Sequence, residues 1–359
     1  MADPTSPTLR VAQWTTGNVA REAVKATLAR PDLSVVGAYA HSPEKVGVDV
    51  GTLCGIDREL GVYATNDVSA LLALAPDCIV YTPLHFEVAE VQQILRAGVN
   101  IVTSAEFLTG LNLAPDDRTL IEAAAREGGA TIFGSGMNPG YAQMIAAVSS
   151  GLSSNVRHAS MTESVDVSQF IGDANFQSVG WGRPKDDPSH ADDVRRGTVV
   201  FAEAVDVFAR LMGIVVDEIR CDVAFAHTTE DVVADGVSLP AGHVGGMDVK
   251  WYGTRDGREV LAVNQRWIAT PLLEPAWTVE HGYRIDIAGD PNVHVKVDLM
   301  PTAEDLAELT PSRMRGIGLR ITAAPLINAI PAVCAAAPGI ATYADIPVVA
   351  ARLLSATNE

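Results

Sequence analysis

Along the first 150 residues, short apolar runs alternate with longer stretches whose apolar residues recur every three or four positions. Val11 and Ala12 open the first run, and Leu33–Tyr39, Asp77–Tyr81, Asn100–Thr103 and Thr131–Phe133 repeat it. Runs this short, bounded by Gly, Pro and Ser, predict buried strands. Between them Val19–Arg30, the segment from Asn66-Asp67 to Leu74, Phe86–Arg96 and Asp116–Glu127 carry the helical period. Pro31, Gly98 and Gly128-Gly129 stop three of these helices. Repeated strand–helix units predict an α/β fold, a doubly wound parallel sheet of Rossmann type over residues 1–150.

Beyond residue 150 the pattern changes. Ala159–Val167 reads as a strand, the polar stretch Gly172–Arg196 as a long loop or lid, and Val199–Met212 as a helix. Gly246–Tyr252 and Glu259–Ile268 flank Arg255-Asp256-Gly257, and Tyr283–Ile287 and Val293–Leu299 flank Gly289-Asp290-Pro291-Asn292. Both are hairpin patterns. They predict a second, α+β domain over residues 151–321, built on a largely antiparallel sheet that serves the substrate and a dimer contact. From Pro311 the chain is alanine-rich, and residues 322–359 are expected to return to the first domain as a helical segment.

The formal net charge of −18 argues against nucleic acid and anionic membrane surfaces as partners, so any phosphate site must rest on local groups. Cys54, Cys78, Cys221 and Cys334 lie far apart. That spacing predicts free thiols, with neither a disulfide framework nor a metal cluster. The first ten residues, with two prolines, do not resemble a signal peptide, and no uninterrupted apolar run is long enough to cross a bilayer. A soluble protein of the reducing cytoplasm is expected.

The candidate chemistry gathers at strand ends, where open parallel sheets bind ligands. Thr15-Thr16-Gly17-Asn18 joins the first strand to a helix beginning near Val19. Such a turn offers unpaired N–H groups and the positive end of the helix dipole to a pyrophosphate. It keeps one strict glycine of the G-x-G-x-x-G/A fingerprint: Thr15 stands first, Gly17 in the middle and Ala20 last. An ordinary strand–turn–helix would look similar. At the end of the second strand, where NAD-selective proteins place a carboxylate for the ribose diol, stand His41, Ser42 and Lys45. These suit a 2′-phosphate, which favours NADP with NAD also open; the competing reading is a plain surface loop, and Glu44 weighs toward it. Thr82, Pro83 and Ser104 occupy further strand tips, with His85 beyond as a substrate-pocket candidate.

Thr103-Ser104-Ala105-Glu106-Phe107 sets one carboxylate directly after an apolar strand. Flanked by Ala105 and Phe107, Glu106 is expected to be partly desolvated, with a raised pKa suited to proton exchange near neutrality. The alternative is a glutamate at a helix start, satisfying backbone N–H groups. Met137-Asn138-Pro139-Gly140 forms a rigid turn after the last strand; Asn138 offers an amide to a nicotinamide or a substrate, and Met137 and Phe107 are further substrate candidates. His158, His190, His227, His243, His281 and His294 show no ligand spacing, and no H-E-x-x-H, G-x-S-x-G or P-loop occurs.

Taken together, VAQWTTGNVAREAVK, Tyr81-Thr82-Pro83, Val102–Phe107 and Gly136–Tyr141 resemble the dihydrodipicolinate reductase-like superfamily, in particular the branch of 2,4-diaminopentanoate dehydrogenases and native amine dehydrogenases. The H-H-x-x-K and D-x-P-S-G-T-A elements of true dihydrodipicolinate reductases are missing, which argues against lysine biosynthesis. The resemblance implies that Glu106, in its T-S-A-E-F setting, is catalytic. It further implies an NADP-dependent dehydrogenase that aminates small ketones or aldehydes with ammonia, or deaminates primary amines, as a homodimer. Arg183, Arg195 and Arg196 keep an amino-acid substrate open. Two alternatives stand beside this one: a reductase of C=N, C=C or C=O bonds without an ammonia step, and a non-catalytic NADP-binding sensor.

Overall fold

A computed structural model describes residues 8–308 and 310–352. The backbone separates into two compact units, one of Met1–Gly140 with Gly318–Glu359, the other of Tyr141–Ile317. The first opens with β1 (Leu9–Trp14), α1 (Asn18–Leu28), β2 (Leu33–Tyr39), α2 (Val50–Cys54), β3 (Ala64–Thr65) and α3 (Val68–Leu72). It continues with β4 (Cys78–Tyr81), α4 (Val88–Arg96), β5 (Asn100–Thr103), α5 (Pro115–Gly128) and β6 (Thr131–Gly134). The helix boundaries follow local chemistry. Asp67 accepts from the N–H groups of Ser69 and Ala70 to cap α3. Pro115 opens α5 at a position that needs no donor, and Gly129 ends it at φ +69°.

The second unit contains α6 (Ala142–Ser150), β7 (Ser154–Asp166), α7 (Ala174–Gln177), α8 (His190–Gly197), α9 (Val200–Met212), β8 (Glu218–Thr228), β9 (Val232–Ala234) and β10 (Val237–Leu239). It goes on through β11 (Val244–Arg255), β12 (Arg258–Ile268), β13 (Leu273–Glu274), β14 (Gly282–Asp290), β15 (Val293–Val297) and α10 (Ala303–Ala307). The division between units falls inside α11 (Pro311–Cys334), and the chain then adds β16 (Gly339–Ala341).

The first sheet runs β16-β6-β5-β4-β1-β2-β3 with every pair parallel. Its core joins Trp14, Ile79, Tyr81, Ile101, Phe107 and Ile132 to the inner faces of α4 and α5. The second sheet runs β13-β8-β11-β12-β7-β14-β15 and is antiparallel except where β12 lies parallel to β7. This is the Rossmann sheet and largely antiparallel second sheet that the periodicity predicts. The helix Ala142–Ser150 groups with the second unit, so the break falls after Gly140 and not after residue 150.

Two expectations need correction. Gly172–Arg196 is not an unbroken loop: α7 and α8 lie in it, and His190 is 2% exposed, bonded to the Val179 carbonyl at 2.7 Å and stacked on Phe225. The C-terminal return is not wholly helical, because Gly339–Ala341 pairs with Thr131–Phe133 as a further strand. Arg313–Cys334 has the length and mean hydropathy, 1.5, to cross a membrane by average composition, although Arg320 interrupts its apolar run. Its Ala323, Leu326, Ile327, Ile330 and Val333 are buried, as in a core helix.

Candidate functional site

Gln13 is a polar residue near the end of the apolar strand β1, and it is 3% exposed. Its amide nitrogen donates to the Trp14 carbonyl, the Val80 carbonyl and Thr82 Oγ1 at 3.0, 3.0 and 2.9 Å, tying β1 to β4. Thr15 follows at φ +77°, a left-handed backbone that a β-branched residue rarely adopts. The sterics explain why a glycine is usual there. Two bonds hold Thr15 in place: its N–H donates to the Tyr39 carbonyl at 3.0 Å, and its hydroxyl to the Thr82 carbonyl at 3.1 Å.

Gly17 then caps α1 in extended backbone, and among the described residues no side chain caps that helix end. A Cβ built on Gly17 would meet no protein atom within 4 Å. Neither conformation nor crowding within the protein therefore requires glycine at this position. What the missing side chain does provide is open space above a helix N-terminus.

That space belongs to a cavity of about 380 Å³ at the tips of β1, β2 and β4. Thr15, Thr16, Gly17, His41, Ser42, Lys45, Thr82, Pro83 and His85 all line it. Lys45, half-buried in a short turn over Pro43–Lys45, donates to Thr16 Oγ1 at 3.0 Å. Ala40, buried and neutral, follows β2 where a diol-binding carboxylate would stand. Glu44 is exposed and is not on the cavity wall. Asn18 and Val19 form the first turn of α1 behind this wall. The uncapped helix end, the cradle at Gly17 and the cation at Lys45 fit a phosphorylated nucleotide.

The same wall holds residues that the sequence did not single out: Leu84, Glu87 and Glu90. Glu90 accepts from the Tyr81 hydroxyl at 2.7 Å, and burial together with that carboxylate pushes the Tyr81 phenol well up. Glu90 is thus occupied from within the core. Trp14 stacks on Tyr39 with centroids 4.2 Å apart, and Tyr39 meets His41 edge-on at 4.9 Å, so an aromatic stack backs the β2 end of the cavity.

Ser104, Glu106, Phe107, Met137 and Asn138 do not line this cavity. They follow β5 and β6, the next two strands of the sheet beyond β4. Glu106 is exposed, which corrects the expected desolvation: its neighbours Ala105 and Phe107 are buried, at 3% and 2%, but the glutamate between them faces outward. Nor does it start a helix, since α5 begins at Pro115. Its φ is +35°, the left-handed region again. Strained non-glycine backbone of this kind clusters at functional sites. Phe107 stacks on Phe86 inside the core and Met137 is 6% exposed, so neither presents an open face to a ligand. Asn138 is half-buried at a cis Asn138–Pro139 bond in the turn after β6.

In the second unit, each arginine that kept an amino-acid substrate open is engaged by an aspartate. Arg183 bonds Asp187 and Asp193 at 3.4 and 2.5 Å, Arg195 bonds Asp192 at 2.7 Å, and Arg196 pairs with Asp193.

Comparison with known proteins agrees with this architecture. Residues 142–358 match the family described as the 2,4-diaminopentanoate dehydrogenase C-terminal domain. An amine dehydrogenase of Streptomyces virginiae is 30% identical over 93% of this chain and 95% of its own length. A 2,4-diaminopentanoate dehydrogenase of Acetoanaerobium sticklandii is 24% identical over 72% of this chain and 69% of its own. The solved structure of an amine dehydrogenase from Mycobacterium smegmatis superposes with a TM-score of 0.77 at 23% identity, covering 96% of this chain and 97% of that one.

Proposed function

The chain belongs to the 2,4-diaminopentanoate dehydrogenase family, and from that premise we propose that it is an NADP-dependent amine dehydrogenase acting on small carbonyl compounds and primary amines. The observation that carries this reading is the cavity at the tips of β1, β2 and β4, where an uncapped helix end, Gly17 and Lys45 converge. The N–H groups of the first turn of α1, from Asn18 and Val19, hold the pyrophosphate. Lys45, with His41 and Ser42, takes the 2′-phosphate; NAD binds the same cavity more weakly. Thr82, Pro83 and Ser104 border the nicotinamide end, and Asn138 offers its carboxamide a partner.

Glu106 is the acid–base residue. It takes a proton from ammonium, the freed ammonia attacks the carbonyl carbon, and a proton passes from the new nitrogen to the carbonyl oxygen to give a carbinolamine hydroxyl. As the hydroxyl leaves that carbon as water, Glu106 returns the proton to the departing oxygen. An iminium remains, and the carboxylate, again anionic, stabilises its charge. The dinucleotide, when bound, supplies the hydride that turns this iminium into the amine. The outward-facing left-handed conformation of Glu106 suits such a role, because an exposed carboxylate on buried flanks is aimed at no partner that the fold needs. With Arg183, Arg195 and Arg196 all paired, a substrate without a carboxylate is favoured. A cytoplasmic homodimer belongs to the same reading; Arg220, Ala224 and Arg284, exposed along the second sheet, are residues such a contact would cover.

The test is a panel of small ketones and aldehydes, followed by NADPH absorbance with and without ammonium. Ammonium-dependent oxidation of NADPH is expected, lost in Glu106→Gln while NADPH still binds. Turnover that ignores ammonium would transfer the protein to the reductases of C=O, C=N or C=C bonds. Binding without turnover on any carbonyl would leave a sensor.

A further inference from the structure

Glu106 stands on a backbone that other residues hold. Behind it, Thr103 is fully buried and its Oγ1 accepts from the Ala105 N–H at 3.0 Å. Ahead of it, Phe107 is 2% exposed and lies face to face on Phe86, with centroids 4.8 Å apart and planes 4° from parallel. Beside it, β6 comes so close that a Cβ on Gly134 would sit 1.8 Å from the Phe107 carbonyl oxygen and 2.8 Å from Leu108 Cα. A glutamate at φ +35° between two anchored neighbours stays there only while both anchors hold. Thr103 and Gly134 are parts of β5 and β6. Phe86 is different, since it comes from the loop after β4 whose Thr82, Pro83, Leu84, His85 and Glu87 line the nucleotide cavity. Its other ring contact, edge-on at 6.1 Å, is with Tyr81, the residue bonded to Glu90.

We propose that Phe86 is a positioning residue for Glu106: by stacking on Phe107 it holds the Glu106 backbone in its left-handed conformation and so aims the carboxylate. This rests on the reading of Glu106 as the acid–base residue. Phe86 touches neither substrate nor reacting atoms and acts through Phe107. Its removal leaves the ring of Phe107 uncovered on one face, and the Glu106 backbone relaxes toward ordinary dihedrals. Misplacing a reacting group by about 1 Å costs up to about 100-fold in rate, so the loss falls on kcat and not on binding.

The experiment compares Phe86→Ala, Phe86→Tyr and Ile94→Ala with the wild type in the ammonium-dependent assay. Ile94 is buried in the same core and lies away from Glu106 in sequence, on α4, so it serves as the control for lost packing alone. Phe86→Ala is expected to lower kcat at least tenfold, with the KM for the carbonyl and the Kd for NADPH each within threefold. Phe86→Tyr keeps the stacked ring and is expected to recover kcat to within threefold of wild type. Ile94→Ala is expected to lose as much thermal stability as Phe86→Ala while holding kcat within twofold. Should Phe86→Ala not fold, Phe86→Leu takes its place under the same thresholds. The proposal is overturned if the Phe86 variant keeps kcat within twofold, if Ile94→Ala loses as much kcat, or if tyrosine restores nothing. Glu106→Gln run alongside separates the two readings. If it turns over normally, the assignment of Glu106 fails and this inference with it; if it is inactive while Phe86→Ala is normal, only the role of Phe86 fails.

Discussion

Replacing Lys45 by alanine is expected to weaken NADPH binding about thirtyfold and NADH binding less than about threefold. Lys45 is half-buried and already within a hydrogen bond of Thr16 on the cavity wall, so its ammonium is held near the β2 end. The two carboxylates on that wall act against an anion, but Glu90 is taken up by the Tyr81 hydroxyl and Glu87 is exposed to solvent. A unit charge pair at about 4 Å is worth roughly 1 kcal/mol in bulk water and roughly 4 kcal/mol at an effective dielectric constant of about 20. A half-buried ammonium falls between these limits, at about 2 kcal/mol, which is a factor of about thirty in Kd. The ribose diol of NADH carries no charge, and loses only a neutral contact. Titration of both nucleotides by their fluorescence, on wild type and variant, reads the two ratios directly. The difference should shrink in about 0.5 M salt, because screening acts on the exposed side of the pair. Equal losses for the two nucleotides, or an NADPH loss below about threefold, would show that Lys45 does not meet the 2′-phosphate.

Gly17→Ala is expected to leave the melting temperature within about 2 °C, since its Cβ meets nothing in the protein and the backbone is extended, yet to weaken NADPH and NADH alike by tenfold or more. Unchanged affinity would show that nothing packs against that cradle. Gly134→Ala has the opposite profile: a Cβ placed 1.8 Å from a backbone oxygen forces β6 and the Phe107 segment apart, at a cost of about 3 kcal/mol, and a melting point within about 2 °C of wild type would contradict the close approach. Burial lowers the pKa of His190 below its ordinary value of 6.5, so the unfolded chain binds the extra proton first. The stability conferred by neutral His190 is therefore full above about pH 6.5 and lost as pH falls below it. His190→Gln should flatten the fall in melting temperature between about pH 7.5 and 5. His227, shifted the same way by burial, leaves part of the slope in place. Parallel pH profiles for variant and wild type would count against this account.

The elements with a strong local signal were legible in the sequence. Cys78–Tyr81 is a continuous apolar run, Asn100–Thr103 holds Ile101 and Val102 between two polar ends, and the Thr15–Asn18 turn announces itself by position and by Gly17. The cavity residues His41, Ser42, Lys45, Thr82 and His85 were readable because chain order places the ends of successive parallel strands on one edge. What escaped depends on contacts between distant residues. β16 is three residues long and gains its strand character only from pairing with β6, some 200 residues earlier in the chain. α8 carries Asp192, Asp193, Arg195 and Arg196 on a short, polar segment, and it is anchored by the burial of His190 and Val194. The exposure of Glu106 could not be inferred from Ala105 and Phe107, since a left-handed residue turns its side chain away from the line of its neighbours. Gln13 did leave a trace, a lone amide in an apolar strand, and the helical period placed Glu90 on α4, but its place on the cavity wall and its bond to the Tyr81 hydroxyl depend on the packing of α4 against β4.

The strand Gly339–Ala341 joins the β6 edge of the first sheet from beyond the whole of the second unit in the chain, with Tyr343 just after it bonded to Ser135 at 2.6 Å. During synthesis the first unit must therefore wait for its last strand. The edge of β6 stays open while residues 141–317 leave the ribosome, and an unpaired strand edge is a place where other chains attach. A nascent chain halted before Gly339 lacks the seventh strand, however well its first 140 residues have condensed. Maturation of the first unit is in this way tied to completion of its neighbour, and a product cut short within α11 would leave β6 as the sheet's edge.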